Sequence, residues 1–267
     1  MRTAFVGGGT MAEAILSRAL ERGVLSPAEI TVAEPMAARR AHVESTYGVS
    51  TTGAGRDAIG GAEFIVLAVK PQNFPDVASG LSGTLVPSQT VLSIMAGVPL
   101  SRLCSELGHD RIIRIMPNTP AQVGAGASVW TATASVSETE RGQASVLLAS
   151  FGTQLYVEDE DLIDVATAVS GSGPAYVFRF MEVLTAAAVA RGLNPEDAAL
   201  LVEQTVYGSA LLARESAESP ARLREMVTSP GGTTEAALRA LTESDFDTAV
   251  EGAVRAAYDR AKELGGN

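Results

Sequence analysis

The residues best suited to chemistry sit at turns. Gly7-Gly8-Gly9-Thr10-Met11-Ala12 has the pattern G-x-G-x-x-A, with Gly7 and Gly9 in the glycine slots and Ala12 in the third. Gly7 permits a tight turn out of a strand. Gly9 has no Cβ, so a pyrophosphate can approach the backbone, and Ala12 lets a helix pack closely on the strand. The N–H groups that open that helix, at Thr10 and Met11, favour phosphate oxygens. An ordinary strand–turn–helix uses glycines too, so the motif alone is weak. Glu34, after the next strand candidate, strengthens it: a carboxylate there can accept hydrogen bonds from the adenosine ribose hydroxyls. Its charge would repel a 2′-phosphate, and Arg39 and Arg40 follow where they could partly compensate. A solvated acid at a helix start is the plainer alternative for Glu34.

Three more loops end strand candidates: Ala68-Val69-Lys70-Pro71-Gln72, Ser93-Ile94-Met95-Ala96-Gly97 and Met116-Pro117-Asn118-Thr119-Pro120. Ligands of open parallel sheets bind at the carboxyl ends of strands. Each loop singly reads equally well as a plain turn; together they line one edge. Two glycine-proline stretches stand out further on, Ser170–Tyr176 and Thr228–Glu235. In the second, Ser229 can cap a helix with Pro230 at its first position, which leaves the N–H groups of Gly231, Gly232 and Thr233 uncommitted. Such a helix start suits a carboxylate, although a helix–helix connection also uses these residues. With two histidines, His42 and His109, and one cysteine, no transition-metal site is expected. Cys104 lies in a helix-like stretch and reads as a structural thiol.

The elements that must hold these turns follow from periodicity. Strand candidates are Arg2–Val6, Ile30–Ala33, Glu63–Val69, Thr90–Ile94, Arg111–Ile115, Ala127–Ala132 and Gln154–Val157. Near-continuous apolar runs such as Phe64–Val69 suit strands covered on both faces. Helix candidates alternate with them at Thr10–Arg22, Pro35–Tyr47, Asn73–Leu81, Leu100–Leu107 and Glu138–Ser150. That alternation predicts a mainly parallel, doubly wound sheet. Beyond about residue 160 strand signals vanish, and helices are predicted at Pro174–Arg191, Pro195–Ala213, Pro220–Met226, Gly232–Leu241 and Asp245–Leu264, with Gly192 and Gly265 as caps. The expected domains are 1–160, binding a dinucleotide, and 161–267, all-helical. Pro174–Arg191 is apolar over most of its circumference and must be covered. A homodimer with intertwined helical domains does this; so would a seam between the domains.

The chain has 267 residues, 46% of them hydrophobic, and a net charge of −11. It can bury a sizeable core. Its charge disfavours nucleic acid and anionic membranes as partners. No apolar run suggests a membrane span or a secretory signal, and the lone cysteine fits a cytoplasmic setting.

Taken in order, the Gly7–Ala12 turn, Ala68–Gln72, Met116–Pro120, Ser170–Tyr176 and Val227–Thr234 resemble pyrroline-5-carboxylate reductase over essentially the whole chain. The stretch Val227–Thr234 is the most specific part, and the glycine turn the least. The resemblance implies a Rossmann domain with a helical dimerisation domain, giving a homodimer or higher homo-oligomer. It implies reduction of 1-pyrroline-5-carboxylate to L-proline by NADPH or NADH. It places the dinucleotide against Gly7, Gly9, Thr10, Met11, Glu34, Ala68, Val69, Lys70, Pro71, Ala96, Gly97 and Asn118. The substrate carboxylate is then held by Ser229, Pro230, Gly231, Gly232 and Thr233. Thr234 stands near the ring nitrogen as the catalytic hydrogen-bond partner. The resemblance carries no metal. The family is usually written with NADPH, whereas Glu34 suits NADH, so both are expected to work.

Two other functions fit parts of the pattern. A β-hydroxyacid dehydrogenase would need a lysine on a helix of the second domain, which offers only Lys262. A dinucleotide-binding regulatory protein would show no turnover.

Overall fold

The computed structural model describes residues 1–265. It divides into two compact units, one of Met1–Ser172 together with the chain from Ala257 onward, the other of Gly173–Ala256.

The first unit is built on eight strands: β1 Thr3–Val6, β2 Ile30–Ala33, β3 Ser50–Thr52, β4 Phe64–Leu67, β5 Thr90–Ser93, β6 Ile112–Met116, β7 Gly126–Ala132 and β8 Gly152–Tyr156. They form one sheet in the order β3-β2-β1-β4-β5-β6-β7-β8. Every neighbouring pair is parallel except β6 and β7. Helices α1 Thr10–Glu21, α2 Ala37–Tyr47, α3 Gly55–Ala58, α4 Phe74–Leu81, α5 Leu100–Leu107 and α6 Glu138–Ala149 make the crossovers, and α7 Asp161–Ala166 follows β8. The β6–β7 connection carries only the 3₁₀ turn Thr119–Val123. That is too little chain for a parallel crossover, so β7 runs back antiparallel.

Successive residues of a strand point to opposite faces, and both faces here are apolar. Phe5 and Val66 join a core with Ile15 and Leu16 of α1 and Leu147 and Leu148 of α6. Ala4, Val6, Ile65 and Leu67 join a second core with Phe74 and Leu81 of α4 and Leu103 and Leu107 of α5. That is why β1 and β4 read as unbroken apolar runs. Helix α6 begins at a capping box: the Ser137 hydroxyl accepts from the Glu140 N–H, and the Glu140 carboxylate accepts from the Ser137 N–H. Arg114 of β6 is buried and reaches Glu160 at 2.8 Å and Asp164 of α7 at 2.7 Å.

Sequence periodicity misses β3, α3 and α7. The strand β3 is three polar residues at the sheet edge, with no apolar face to announce it. Helices α3 and α7 span four and six residues, too few for a 3.6-residue period to register.

The second unit is helical: α8 Gly173–Ala190, α9 Pro195–Glu215, α10 Pro220–Met226, α11 Thr233–Glu243 and α12 Phe246–Gly265, the last of which ends in the first unit. Gly265 is the final helical residue rather than a left-handed cap; Gly192, at φ +105°, does reverse the chain after α8. Asn194 and Ser219 cap α9 and α10. Residues 266 and 267 of the expected second domain lie outside the described residues. No helix among the described residues is long and apolar enough to cross a membrane.

Candidate active site

In the first unit the sheet ladder continues past the strand ends and sets the predicted turns side by side. The Gly7 N–H donates to Ala33 O at 2.8 Å, Ala68 N–H to Val6 O at 2.9 Å and Ile94 N–H to Leu67 O at 3.1 Å. Gly7 has φ +102°, and a Cβ there would lie 2.7 Å from the Ala68 carbonyl oxygen. Only glycine fits. Beside Gly9 nothing lies within 4 Å of the position a Cβ would take, and α1 opens there without a side-chain cap. The first-turn N–H groups at Thr10 and Met11 are therefore left for solvent or a ligand. Ala12 is buried against the sheet.

Glu34 is already engaged at this turn. Its Oε2 accepts from the Gly8 N–H at 3.0 Å, and its Oε1 from the Met36 N–H at 3.0 Å. Arg39 donates through Nε to Gly8 O at 2.6 Å and pairs with Glu13. Arg40 donates through Nη1 to Glu34 O at 2.7 Å and Pro35 O at 2.8 Å. Glu13 also meets His42 Nε2 and the Tyr47 hydroxyl, each at 2.8 Å. Burial pushes the Glu13 carboxyl up, but bonds from His42, Arg39 and Tyr47, with the Arg39 charge, outweigh it and hold the group down at about 2. Burial first, then the bond to Glu13, push Tyr47 up to about 12. Sequence reasoning assigns no role to Gly8 or Glu13. The signal for Gly8 is the third consecutive glycine: a Cβ there would stand 3.2 Å from Glu34 Cβ.

Ala68 and Val69 are half-buried at the same edge and Lys70 is exposed. Pro71 opens a single 3₁₀ turn, Pro71–Asn73. Ala96 is half-buried, but Gly97 is buried, and a Cβ on it would meet Leu264 Cβ of α12 at 2.7 Å. Asn118 Oδ1 accepts from Ala127 N–H at 2.8 Å and its Nδ2 donates to Ser170 O at 3.0 Å. Gly97 is thus a packing glycine and Asn118 a tie between loops. A cavity of about 470 Å³ opens between α3 and α4, lined among others by Val6, Gly55, Arg56, Asp57, Asp76 and Leu81. Cys104 is half-buried; burial first, then Asp110 and Glu160, push its thiol up, which suits packing rather than nucleophilic attack.

In the second unit the turn before α11 differs in detail from the sequence expectation. Ser229 does not cap the helix. Its carbonyl accepts from the Gly232 N–H at 2.9 Å, which closes a β-turn over Pro230 and Gly231. Gly231 has φ +71°, the conformation that a type II turn needs at its third position. The helix starts at Thr233, with Gly232 in the capping position. The Gly231 N–H donates to Glu235 Oε2 at 2.8 Å. The N–H groups open to a ligand are therefore those of Thr233 and Thr234, not those of Gly231 and Gly232. Thr234 is half-buried, whereas Ser229, Pro230, Gly231 and Thr233 are exposed.

A sheet of this order, with a positive-φ glycine turn at its switch point and a helical second unit, defines a dinucleotide-fold oxidoreductase. Family models agree: residues 2–97 match the NADP oxidoreductase, coenzyme F420-dependent, model, and residues 160–264 match pyrroline-5-carboxylate reductase dimerisation. The chain is 41% identical to pyrroline-5-carboxylate reductase of Pseudomonas aeruginosa, covering 98% of this chain and 96% of that protein. It is 43% identical to that of Synechocystis sp., covering 97% of each. Among solved structures, a pyrroline-5-carboxylate reductase from Coxiella burnetii matches with a TM-score of 0.92 at 38% identity over 98% of both chains. The chain belongs to the pyrroline-5-carboxylate reductase family.

Proposed function

We propose that the protein reduces 1-pyrroline-5-carboxylate to L-proline with NADPH or NADH. Family membership names the reaction. The observation that carries it in this chain is the turn Ser229–Gly232, which leaves the Thr233 and Thr234 N–H groups and the Thr234 hydroxyl uncommitted at the start of an eleven-residue helix. A carboxylate is the ligand such a helix start prefers.

The first unit fits a dinucleotide on its own geometry. The open space beside Gly9 and the uncapped start of α1, at Thr10 and Met11, suit a pyrophosphate, and the Glu34 carboxylate suits ribose hydroxyls. Gly7, Ala68, Val69, Lys70, Pro71 and Ala96 form the remaining edge. Beside it, Gly97 packs against Leu264, and Asn118 ties Ala127 to Ser170. When bound, reduced nicotinamide supplies a hydride to the imine carbon. The chain's own task is then positioning. Ser229 and the backbone of Pro230, Gly231, Gly232 and Thr233 shape the carboxylate seat, and Thr234 orients the ring nitrogen. An unactivated threonine is a poor acid, so the substrate is best bound as the protonated iminium.

In this reading residues 1–160 bind the dinucleotide, and residues 161–267 bind the substrate and assemble the homodimer or higher homo-oligomer; the match of residues 160–264 to a dimerisation model supports the second role. The net charge of −11 supports no nucleic-acid or anionic-membrane role, and the lone thiol suits the cytoplasm. The test is oxidation of NADH or NADPH by purified protein that depends on added pyrroline-5-carboxylate, with proline as product. Cofactor binding without turnover would reduce the protein to a dinucleotide-binding module. Turnover only with oxidised cofactor and a 3-hydroxy acid would make it a β-hydroxyacid dehydrogenase.

A further inference from the structure

We infer that the adenosine end of the cofactor site selects the free 2′-hydroxyl of NAD(H) over the 2′-phosphate of NADP(H), with Glu34 as the selecting residue. The inference rests on the dinucleotide reading of the first unit. It runs against what the relatives suggest, since the model matching residues 2–97 describes an NADP oxidoreductase. A Plasmodium falciparum pyrroline carboxylate reductase, 28% identical, was solved with NADP bound.

A 2′-phosphate is accepted where cations or free N–H donors face it. Three arginines stand near this end of the sheet, and each is turned onto a backbone carbonyl. Arg39 is bonded to Gly8 O and paired with Glu13. Arg40 bridges Glu34 O and Pro35 O. Arg56 donates to Gly80 O through Nε and Nη2, both at 3.3 Å. Turning Arg39 toward a phosphate would strip Gly8 O of its donor and take from Glu13 its strongest charge partner. Turning Arg40 outward would release the carbonyls that fix the chain at Glu34.

The acids are placed the other way. Both carboxylate oxygens of Glu34 are oriented by backbone donors, from Gly8 and Met36. Each oxygen has a second lone pair, which a ribose hydroxyl can use as donor. Gly8 lets this carboxylate come close, since a Cβ there would lie 3.4 Å from Glu34 Oε2. The cavity beside the β1 end adds Asp57 and Asp76 to its lining, with Arg56 the single basic lining residue. A doubly charged phosphate brought to this seat faces a fixed carboxylate and guanidinium groups that already donate to backbone carbonyls.

The test uses the full chain and reads binding and turnover separately. Equilibrium titration with NAD⁺ and NADP⁺ should favour NAD⁺ by at least about tenfold, the factor that one unscreened like-charge contact near a surface can impose. Steady-state kcat/KM with pyrroline-5-carboxylate should favour NADH over NADPH in the same sense. Equal or tighter binding of NADP⁺ overturns the inference. Glu34→Gln keeps an oxygen for the Gly8 N–H and removes the charge; Glu34→Ser removes both. Each should lower the NAD⁺/NADP⁺ affinity ratio about tenfold or more, and an unmoved ratio in both takes the selection away from Glu34. Arg40→Gln should leave that ratio within about twofold, whereas selective loss of NADP⁺ binding would show the guanidinium to be a phosphate ligand. If NAD⁺ is preferred but no cofactor is oxidised with the imine, selectivity stands and the reductase reading falls. If the imine is reduced with NADPH as the better donor, the reverse holds.

Discussion

Thr234 places its hydroxyl and its N–H at the first turn of α11, and no bond within the described residues engages either. If that hydroxyl holds the ring nitrogen in the transition state, Thr234→Ala removes one hydrogen bond worth about 1.5–3 kcal/mol. The variant should then lose roughly 10- to 100-fold in kcat/KM with an unchanged fold. Steady-state rates at saturating cofactor measure this, and an unaltered kcat/KM removes Thr234 from the chemistry. Glu13 makes a second prediction at the same scale. Its carboxyl sits at about 2 against an ordinary 4.5, so the charged form is favoured by folding. The stability it contributes is whole above about pH 4.5 and is lost as pH falls from there toward 2. Glu13→Gln should cost about 1.5–3 kcal/mol near neutrality. Its urea midpoint should also fall less steeply than that of the parent chain between pH 5 and pH 3. Glu140, also held at about 2 by Ser137, Thr90 and Arg111 against the effect of burial, keeps part of the acid sensitivity in both. The sequence shows Gly7, Gly9 and Glu34 because their spacing is local. It hides the bonds Glu34–Gly8 and Glu13–Arg39, each joining residues 26 positions apart, since nothing in either neighbourhood announces the other.

Elements with one strong period are the ones visible in advance. Helix α5 falls at Leu100–Leu107 as expected, because Leu103 and Leu107 repeat on one buried face. Strand β4 shortens to Phe64–Leu67, since apolar residues continue into the turn that carries Ala68 and Val69. The start of α11 at Thr233 falls one residue after the expected Gly232, but the Ser-Pro pair that reads locally as a cap does not cap it. The pairing of Ser229 O with the Gly232 N–H turns it into a β-turn instead. Strand β8 gives an element-scale prediction. Gly152, at φ +154°, is the register partner of Gly126 on β7, and a Cβ on Gly152 would run into the Gly126 carbonyl. Gly126 in turn donates its N–H to Phe151 O at 2.9 Å. Gly152→Ala must push the edge strand away or break that bond. Strain plus a lost ladder contact should cost about 2–4 kcal/mol. Urea unfolding checks it, with Gly142→Ala on α6 as the control, where nothing lies within 4 Å of the added carbon. A Gly152→Ala midpoint equal to that of the control would show that the two strands can separate without cost.

At the scale of the molecule, the helical unit presents the problem that its sequence already posed. Helix α8 has eighteen residues and none of them is buried. Val177, Phe178, Phe180 and Val183 are 44%, 57%, 47% and 52% exposed, and they are joined by Leu200, Leu201, Tyr207 and Leu212 of α9. In the second unit Ala198 and Val202 are buried, which is little core for helices of this length. Soluble chains seldom leave so much contiguous apolar surface to water. A second copy of the same helices offers a matching apolar face under two-fold symmetry, and about 800 Å² per partner suffices for a stable pair. The match of residues 160–264 to a dimerisation model supports that choice of partner. The sequence cannot supply this geometry, because an interface carries the same apolar periodicity as a core. Sedimentation at micromolar concentration should therefore give a dimer or larger, and the melting temperature should rise with protein concentration. Introducing charge by Phe180→Glu together with Val183→Glu should shift the chain toward monomer and lower the melting temperature, because two carboxylates would have to be buried unpaired. A monomeric parent chain at that concentration, with a melting temperature independent of dilution, would mean that α8 is covered by something other than a second copy.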